Sequence, residues 1–200
     1  MTESIDSLKA ELAECRICKD RFAATATAHA PRPVVWFSKG PRILVAGQAP
    51  GQRVHSTGKP FTDPSGDRLR DWMGIDEATF YDRSRIGIVP MAFCFPGYDA
   101  KGSDLPPPPV CAQTWRDRIM QQLDTVSLTL LVGGHAIKWH LRDRSSVTDS
   151  VARWRDHMPK VFALPHPSWR NTAWLRKNPW FETDLLPVLR MRVQEVLNDR

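Results

Sequence analysis

Apolar residues in this chain fall into short unbroken runs separated by polar or helix-periodic stretches. Arg42-Ile43-Leu44-Val45-Ala46, Arg85-Ile86-Gly87-Ile88-Val89, Leu128-Thr129-Leu130-Leu131-Val132 and Lys160-Val161-Phe162-Ala163-Leu164 each read as a strand apolar on both faces. Ile5, Leu8 and Leu12 recur at helical spacing within residues 4–14. Residues 67–73, 110–123 and 135–141 also read as helices. A last helix begins at Asn178-Pro179, and Pro187 is expected to kink or interrupt it. Residues 22–41 and 47–66 read as loops, and residues 103–109, with four prolines in a row, as a stiff extended connector. Strands alternating with helices predict a three-layer α/β/α sandwich with a central, mostly parallel four-stranded sheet. No internal repeat is visible, and residues 1–200 read as a single domain.

Two of the strands run into turns rich in chemistry. The first apolar run ends in Gly47-Gln48-Ala49-Pro50-Gly51, followed by Thr57-Gly58-Lys59-Pro60-Phe61-Thr62-Asp63-Pro64-Ser65-Gly66. Glycine lets backbone approach a flat or anionic ligand, and the stretch supplies an amide (Gln48), an aromatic face (Phe61) and a carboxylate (Asp63). The fourth strand ends in Pro165-His166-Pro167-Ser168-Trp169-Arg170-Asn171. In open α/β sheets ligands bind at the carboxyl ends of strands, so the two turns are expected to meet at one edge of the sheet.

Charge narrows the class of partner. Formal net charge is +6, which suits a polyanion. No stretch is long and apolar enough to span a bilayer. The opening Met1-Thr2-Glu3-Ser4-Ile5-Asp6 is acidic, without the apolar stretch of a signal peptide, so a cytoplasmic, nucleoid-associated monomer with no membrane partner is expected.

The four cysteines form two pairs, Cys15 with Cys18 as C-x-x-C, and Cys94 with Cys111. In a cytosolic protein that pattern argues for a metal group over disulfides. Four thiolates suit zinc or an iron–sulfur cubane, and spacing alone leaves both open.

The Gly-Gln-Ala-Pro-Gly turn and the His-Pro-Ser turn together resemble the two motifs of the uracil-DNA glycosylase superfamily, most closely its iron–sulfur family-four and family-five microbial members. The resemblance spans most of residues 12–175, and its motifs are specific in combination and weak singly. It implies a monofunctional repair enzyme that flips uracil out of single- or double-stranded DNA and hydrolyses its glycosidic bond. It further implies that Cys15, Cys18, Cys94 and Cys111 hold a [4Fe-4S] cluster, with zinc the alternative. Gln48, near the water or sugar, Asp63 and His166 would be catalytic, the histidine donating to the departing base. Gly47, Ala49 and Ser168 would line the pocket, and Phe61 would stack on the base. Trp169, Arg170 and Asn171 would meet DNA, with Arg176 adding charge for phosphate. The competing expectation for Trp169 is packing against Trp174 or the last helix, for Phe61 core packing, and for Asp63 a helix-capping role in a Thr-Asp-Pro-Ser turn.

Two departures from the family pattern matter. The related family-five run is Thr-Gly-x-x-Phe-Thr-Gly-Asp-x-Ser-Gly, one residue longer, so Asp67 is a second candidate for the activating carboxylate. Family four reads the uracil edge with an asparagine four residues before the third cysteine. Here that position is Pro90, which has no donor. Base reading is then expected from the backbone near Met91 and Ala92 or from another side chain, and hypoxanthine, xanthine or other deaminated bases join uracil as candidate substrates. No histidine lies between Cys94 and Cys111, which argues against a covalent trap, and no lysine lies in either motif, which argues against a lyase step. Two other classes compete: a non-catalytic iron–sulfur module that binds DNA and senses damage, and a zinc-stabilised phosphodiesterase or nuclease.

Overall fold

The computed structural model describes residues 3–199; Met1 and Thr2 of the acidic opening lie outside the described residues. Four strands, β1 (Ile43–Ala46), β2 (Ile86–Ile88), β3 (Leu128–Val132) and β4 (Val161–Leu164), form one sheet in the order β2-β1-β3-β4. Every pairing is parallel, with Ile43 opposite both Ile86 and Leu128, and Val132 opposite Leu164. All four residues of β1 are fully buried, because parallel strands carry helices on both faces.

Alternation along β1 shows the layers. Ile43 and Val45 join a core with Leu69, Trp72, Phe181 and Leu189. Leu44 points the other way, into a core with Ile5, Leu8, Leu12, Trp115 and Ile119. The helices α1 (Ile5–Ala13), α2 (Lys19–Ala23), α3 (Gln52–Thr57), α4 (Pro64–Met73), α5 (Glu77–Tyr81), α6 (Pro109–Met120), α7 (Gly134–Leu141), α8 (Val147–Ala152), α9 (Thr172–Lys177) and α10 (Leu186–Asn198) surround the sheet. Helices α1 and α6 supply the second core; α4 and α10 cover the first and pack on each other. The sandwich expected from the sequence is therefore the fold.

The differences are local. The stretch read as a loop over 47–66 contains α3, closed by Gly58 in the left-handed region at φ 73°. Helix α4 starts at Pro64, three residues earlier than expected, because Asp63 caps it and proline suits its first turn. Short helices α2, α5, α8 and α9 had no periodic signal. Before Pro187 the last helix opens into a π-helical turn over Phe181–Leu185, the interruption expected of a residue that removes an N–H donor from the ladder.

Strand order reverses direction between β1 and β3. That is the switch point, where loops leaving neighbouring strands part and open a crevice.

Candidate active site

The crevice holds a cavity of about 120 Å³. Gly47, Gln48, Ala49, Pro50 and Gly51 from the turn after β1 line one side. Phe61 and Asp63 stand before α4, Pro90 follows β2, and His166 follows β4. The two motif turns, far apart in sequence, thus face one space.

Backbone hydrogen bonds hold the first turn. Met91 N–H donates to Gly47 O at 2.9 Å, and Ala92 N–H to Gln48 O at 3.1 Å. Met91 and Ala92 were expected to read a base with these groups. Instead their N–H donors are spent on positioning the turn, and both residues are buried behind it. The buried Arg116 fixes the neighbouring backbone, donating to Val89 O at 2.9 Å and Pro90 O at 3.1 Å.

Phe61 sits at φ 54°, costly for a residue with a bulky side chain. Its carbonyl accepts from Tyr81 Oη at 2.9 Å and from Arg70 at 3.2 Å. Gly66 makes this possible, since a Cβ there would lie 1.9 Å from Phe61 O. The ring meets Phe80 edge-on, 5.9 Å between centroids, and one face remains at the cavity. Phe61 thus packs, as one expectation had it, and also borders the cavity.

Asp63 makes the helix cap and also borders the cavity. Its Oδ1 accepts from Ser65 Oγ at 2.5 Å and from Gly66 N–H at 3.2 Å, capping α4, while the residue lines the cavity. Asp67 lies on the exposed side of α4, paired with Arg70, away from the cavity.

His166 receives a backbone donor: Ser168 N–H points at Nδ1 from 3.2 Å. The ring proton therefore sits on Nε2. Burial holds the imidazole pKa below its ordinary value, against the raising influence of Asp63 and Asp104. His166 is thus a neutral donor. Asn171 Nδ2 donates to His166 O at 2.7 Å and Arg68 to Ser168 O at 3.0 Å, so Asn171 braces this loop from within.

An open groove adjoins the cavity, lined by Ser168, Trp169 and Arg170 along with Gln48, Ala49, Asp63 and His166. Trp169 is 73% exposed. Trp174 packs on Trp180 and Phe181 instead, and its indole donates to Thr148. Packing of Trp169 against Trp174 is not what the chain adopts.

Three residues at the site carried no motif signal. Trp36 pairs with Ile88 through an isolated bridge, and its buried indole Nε1 lines up with no partner among the described residues. It lies in the stretch read as a loop, yet it borders the cavity. Asp104 comes from the segment read as a connector and stands at the cavity mouth, open to solvent on one side. Crowding by protein raises its carboxyl pKa; Arg170 and His166 act against this, and Asp63 adds to it. Arg116, buried beneath the turn, had no sequence pattern to reveal it.

The four cysteines line a second, small pocket with Phe22, Ala92 and Trp115. All are free thiols; burial pushes Cys94 up to about 12 and Cys111 up to about 11. Among the described residues no group of three or more His, Cys, Asp or Glu could hold a metal ion. The four thiols share that one pocket lining, a donor number that a cubane or a zinc ion takes. Trp115 Nε1 is buried there without a partner, a donor that a thiolate or sulfide would satisfy. The donor set fits a four-cysteine cluster.

Among the described residues no helix is long and apolar enough to cross a membrane. The family model of the uracil DNA glycosylase superfamily matches residues 34–190, a span that includes both motif turns, the cavity and two of the cysteines. The chain belongs to the uracil DNA glycosylase superfamily, whose members act on DNA as glycosylase-type hydrolases.

Proposed function

We propose that this protein excises uracil from DNA by hydrolysing the glycosidic bond, without a lyase step, and leaves an abasic site. One observation carries this reading: His166, fixed as a neutral Nε2–H donor, faces the same cavity as Phe61 and a carboxylate. Breaking a deoxyribosyl C–N bond leaves positive charge on the sugar and negative charge on the base. The histidine stabilises the anion, an effect of about 3 kcal/mol for one such donor. Carboxylate charge at the mouth favours the sugar cation. Flipping the nucleotide costs a few kcal/mol, and stacking on Phe61 recovers about 1–3 kcal/mol. None of the residues lining the cavity or groove is a lysine, so no amine stands ready for a Schiff base.

With Pro90 in the position of a base-reading asparagine, the base edge meets the His166 Nε2–H and the Gln48 amide, side chains that line the cavity and can donate to it. Without an asparagine's paired donor and acceptor at that position, any carbonyl-bearing deaminated base can meet the His166 donor, so hypoxanthine and xanthine belong to the substrate range beside uracil. Cys15, Cys18, Cys94 and Cys111 hold a [4Fe-4S] cluster in this reading, which when bound supplies a rigid cross-link and no redox step, since hydrolysis transfers no electrons. The net charge of +6 supports DNA as the partner.

The test is direct. The protein is incubated with oligonucleotides carrying one uracil, single-stranded and duplex, and free base and alkali-labile sites are measured. Release of uracil is expected on both. Binding to the oligonucleotides with no base released would leave the DNA-binding module as the function.

A further inference from the structure

We propose that Asp104, rather than Asp63, is the catalytic carboxylate that takes the proton from the attacking water; this rests on the glycosylase reading above. The base occupies the cavity and the strand follows the groove, so the sugar crosses the boundary between them. Only residues lining both spaces stand beside the glycosidic bond, and those that titrate are Asp63, Asp104 and His166.

The two carboxylates are not equivalent. Asp63 is committed to Ser65 and Gly66, bonds that hold the start of α4 and, through Gly66, the strained Phe61. Those bonds occupy Oδ1 of Asp63. No hydrogen bond among the described residues holds the Asp104 carboxylate, and crowding makes it more basic than an ordinary aspartate. It faces His166, Arg170 and Asp63, and it is open to solvent where water must enter.

Its loop is nonetheless firm. Tyr98 and Asp104 form an antiparallel bridge, Leu105 N–H donates to Gly97 O at 2.8 Å, and Asp99 Oδ1 accepts from Lys101 and Ser103 N–H. A reactive side chain on a pinned loop keeps its position without losing entropy in the transition state.

The step balances as follows. The water oxygen bonds to C1′ while one of its protons passes to Asp104. The C1′–N bond breaks, and its electron pair leaves on the base, whose carbonyl oxygen accepts from His166 Nε2–H. Solvent then protonates the base, and Asp104 returns its proton to solvent.

The experiment is single-turnover excision on a uracil oligonucleotide across the acid and neutral range, with DNA affinity measured in parallel. Asp104→Asn is expected to slow excision by roughly 100-fold or more, with affinity within a few-fold, and to abolish the acid limb of the wild-type profile. Asp104→Glu should keep a limb. His166 retains its Nε2–H on protonation and does not generate that limb. Asp63→Asn can still accept the capping bonds and should keep the limb. Wild-type rate and limb in Asp104→Asn, with both lost in Asp63→Asn, would overturn the assignment and leave the glycosylase reading intact. A loss in Asp104→Asn matched by an equal loss of DNA affinity would also overturn it, because the residue would then shape the groove. Wild-type protein that releases no base overturns both.

Discussion

The backbone N–H of Ser168 donates to Nδ1 of His166 at 3.2 Å. That one bond decides which ring nitrogen faces the base. Ser168 sits at φ −67°, a value proline shares, so Ser168→Pro deletes the donor without opposing the local φ. Losing a neutral hydrogen bond of about 0.5–1.5 kcal/mol should slow excision by roughly 3- to 10-fold. Ser168→Ala keeps the N–H and should stay near the wild-type rate. Equal rates in the two variants would show that the tautomer is set some other way.

Asp63 and Asp67 separate cleanly on stability. Asp63→Ala removes the cap of α4 and should lower stability by about 1 kcal/mol, whereas Asp63→Asn retains an accepting oxygen and most of that stability. Asp67→Asn breaks only an exposed pair with Arg70 and should change stability by less than about 1 kcal/mol, with excision unaffected. Thermal unfolding and excision assays on the three variants check this.

Trp169 and Arg170 border the groove, and Trp169 is largely exposed there. A flipped nucleotide leaves a gap in a duplex, and side chains inserted there hold it open. Arg170→Ala is therefore expected to slow excision from duplex more than from single strands. A plain phosphate contact would instead weaken both alike and lower the salt slope by about one.

The cysteine pocket predicts a brown protein with absorbance near roughly 400 nm and about four irons per chain after anaerobic purification. Trp115→Phe, which removes the unpartnered indole N–H, should shift the cluster's reduction potential while excision stays unchanged. About one zinc and no iron per chain would remove the cluster and leave the fold standing.

His140 supplies a pH dependence of stability. Burial first, and then Arg116, pushes its pKa down to about 3 from 6.5. Its Nε2 accepts from Arg116 Nε at 3.0 Å, which requires the neutral ring. A depressed histidine pKa means that the unfolded chain binds the extra proton. Stability is full above pH 6.5 and is lost as pH falls from there toward about 3, by at most about 1.4 kcal/mol per pH unit. Urea midpoints should fall over that window, and His140→Gln should flatten the slope. An unchanged slope in that variant would place the acid sensitivity elsewhere.

Several parts of this protein were legible before any coordinates. Four short runs of apolar residues, buried on both sides, admit little besides a parallel sheet, and β1 to β4 lie within a residue or two of them at each end. Glycine and proline after β1 and β4 marked turns, and turns at strand ends in such a sheet converge. Gln48, Phe61, Asp63 and His166 share a cavity for that reason. Short helices such as α3 and α8 escaped because six residues span fewer than two turns, too few for a period to show.

Tertiary structure alone decided how the donors and acceptors are spent. The sequence offers Met91 and Ala92 as backbone readers, but the register of β2 beside the Gly47 turn consumes their N–H groups. It offers Asp63 first and Asp67 second; the cap starts α4 three residues early and turns Asp67 outward. Trp36 lies in a stretch read as a loop, Asp104 in one read as a connector and Arg116 on a helix whose pattern marks no functional position, and only folding brings them to the cavity or beneath it. Periodicity records which faces of an element are buried, a property of neighbours along the chain. Hydrogen-bond pairing and proximity across a cavity depend on residues dozens of positions apart, and no local pattern carries that information.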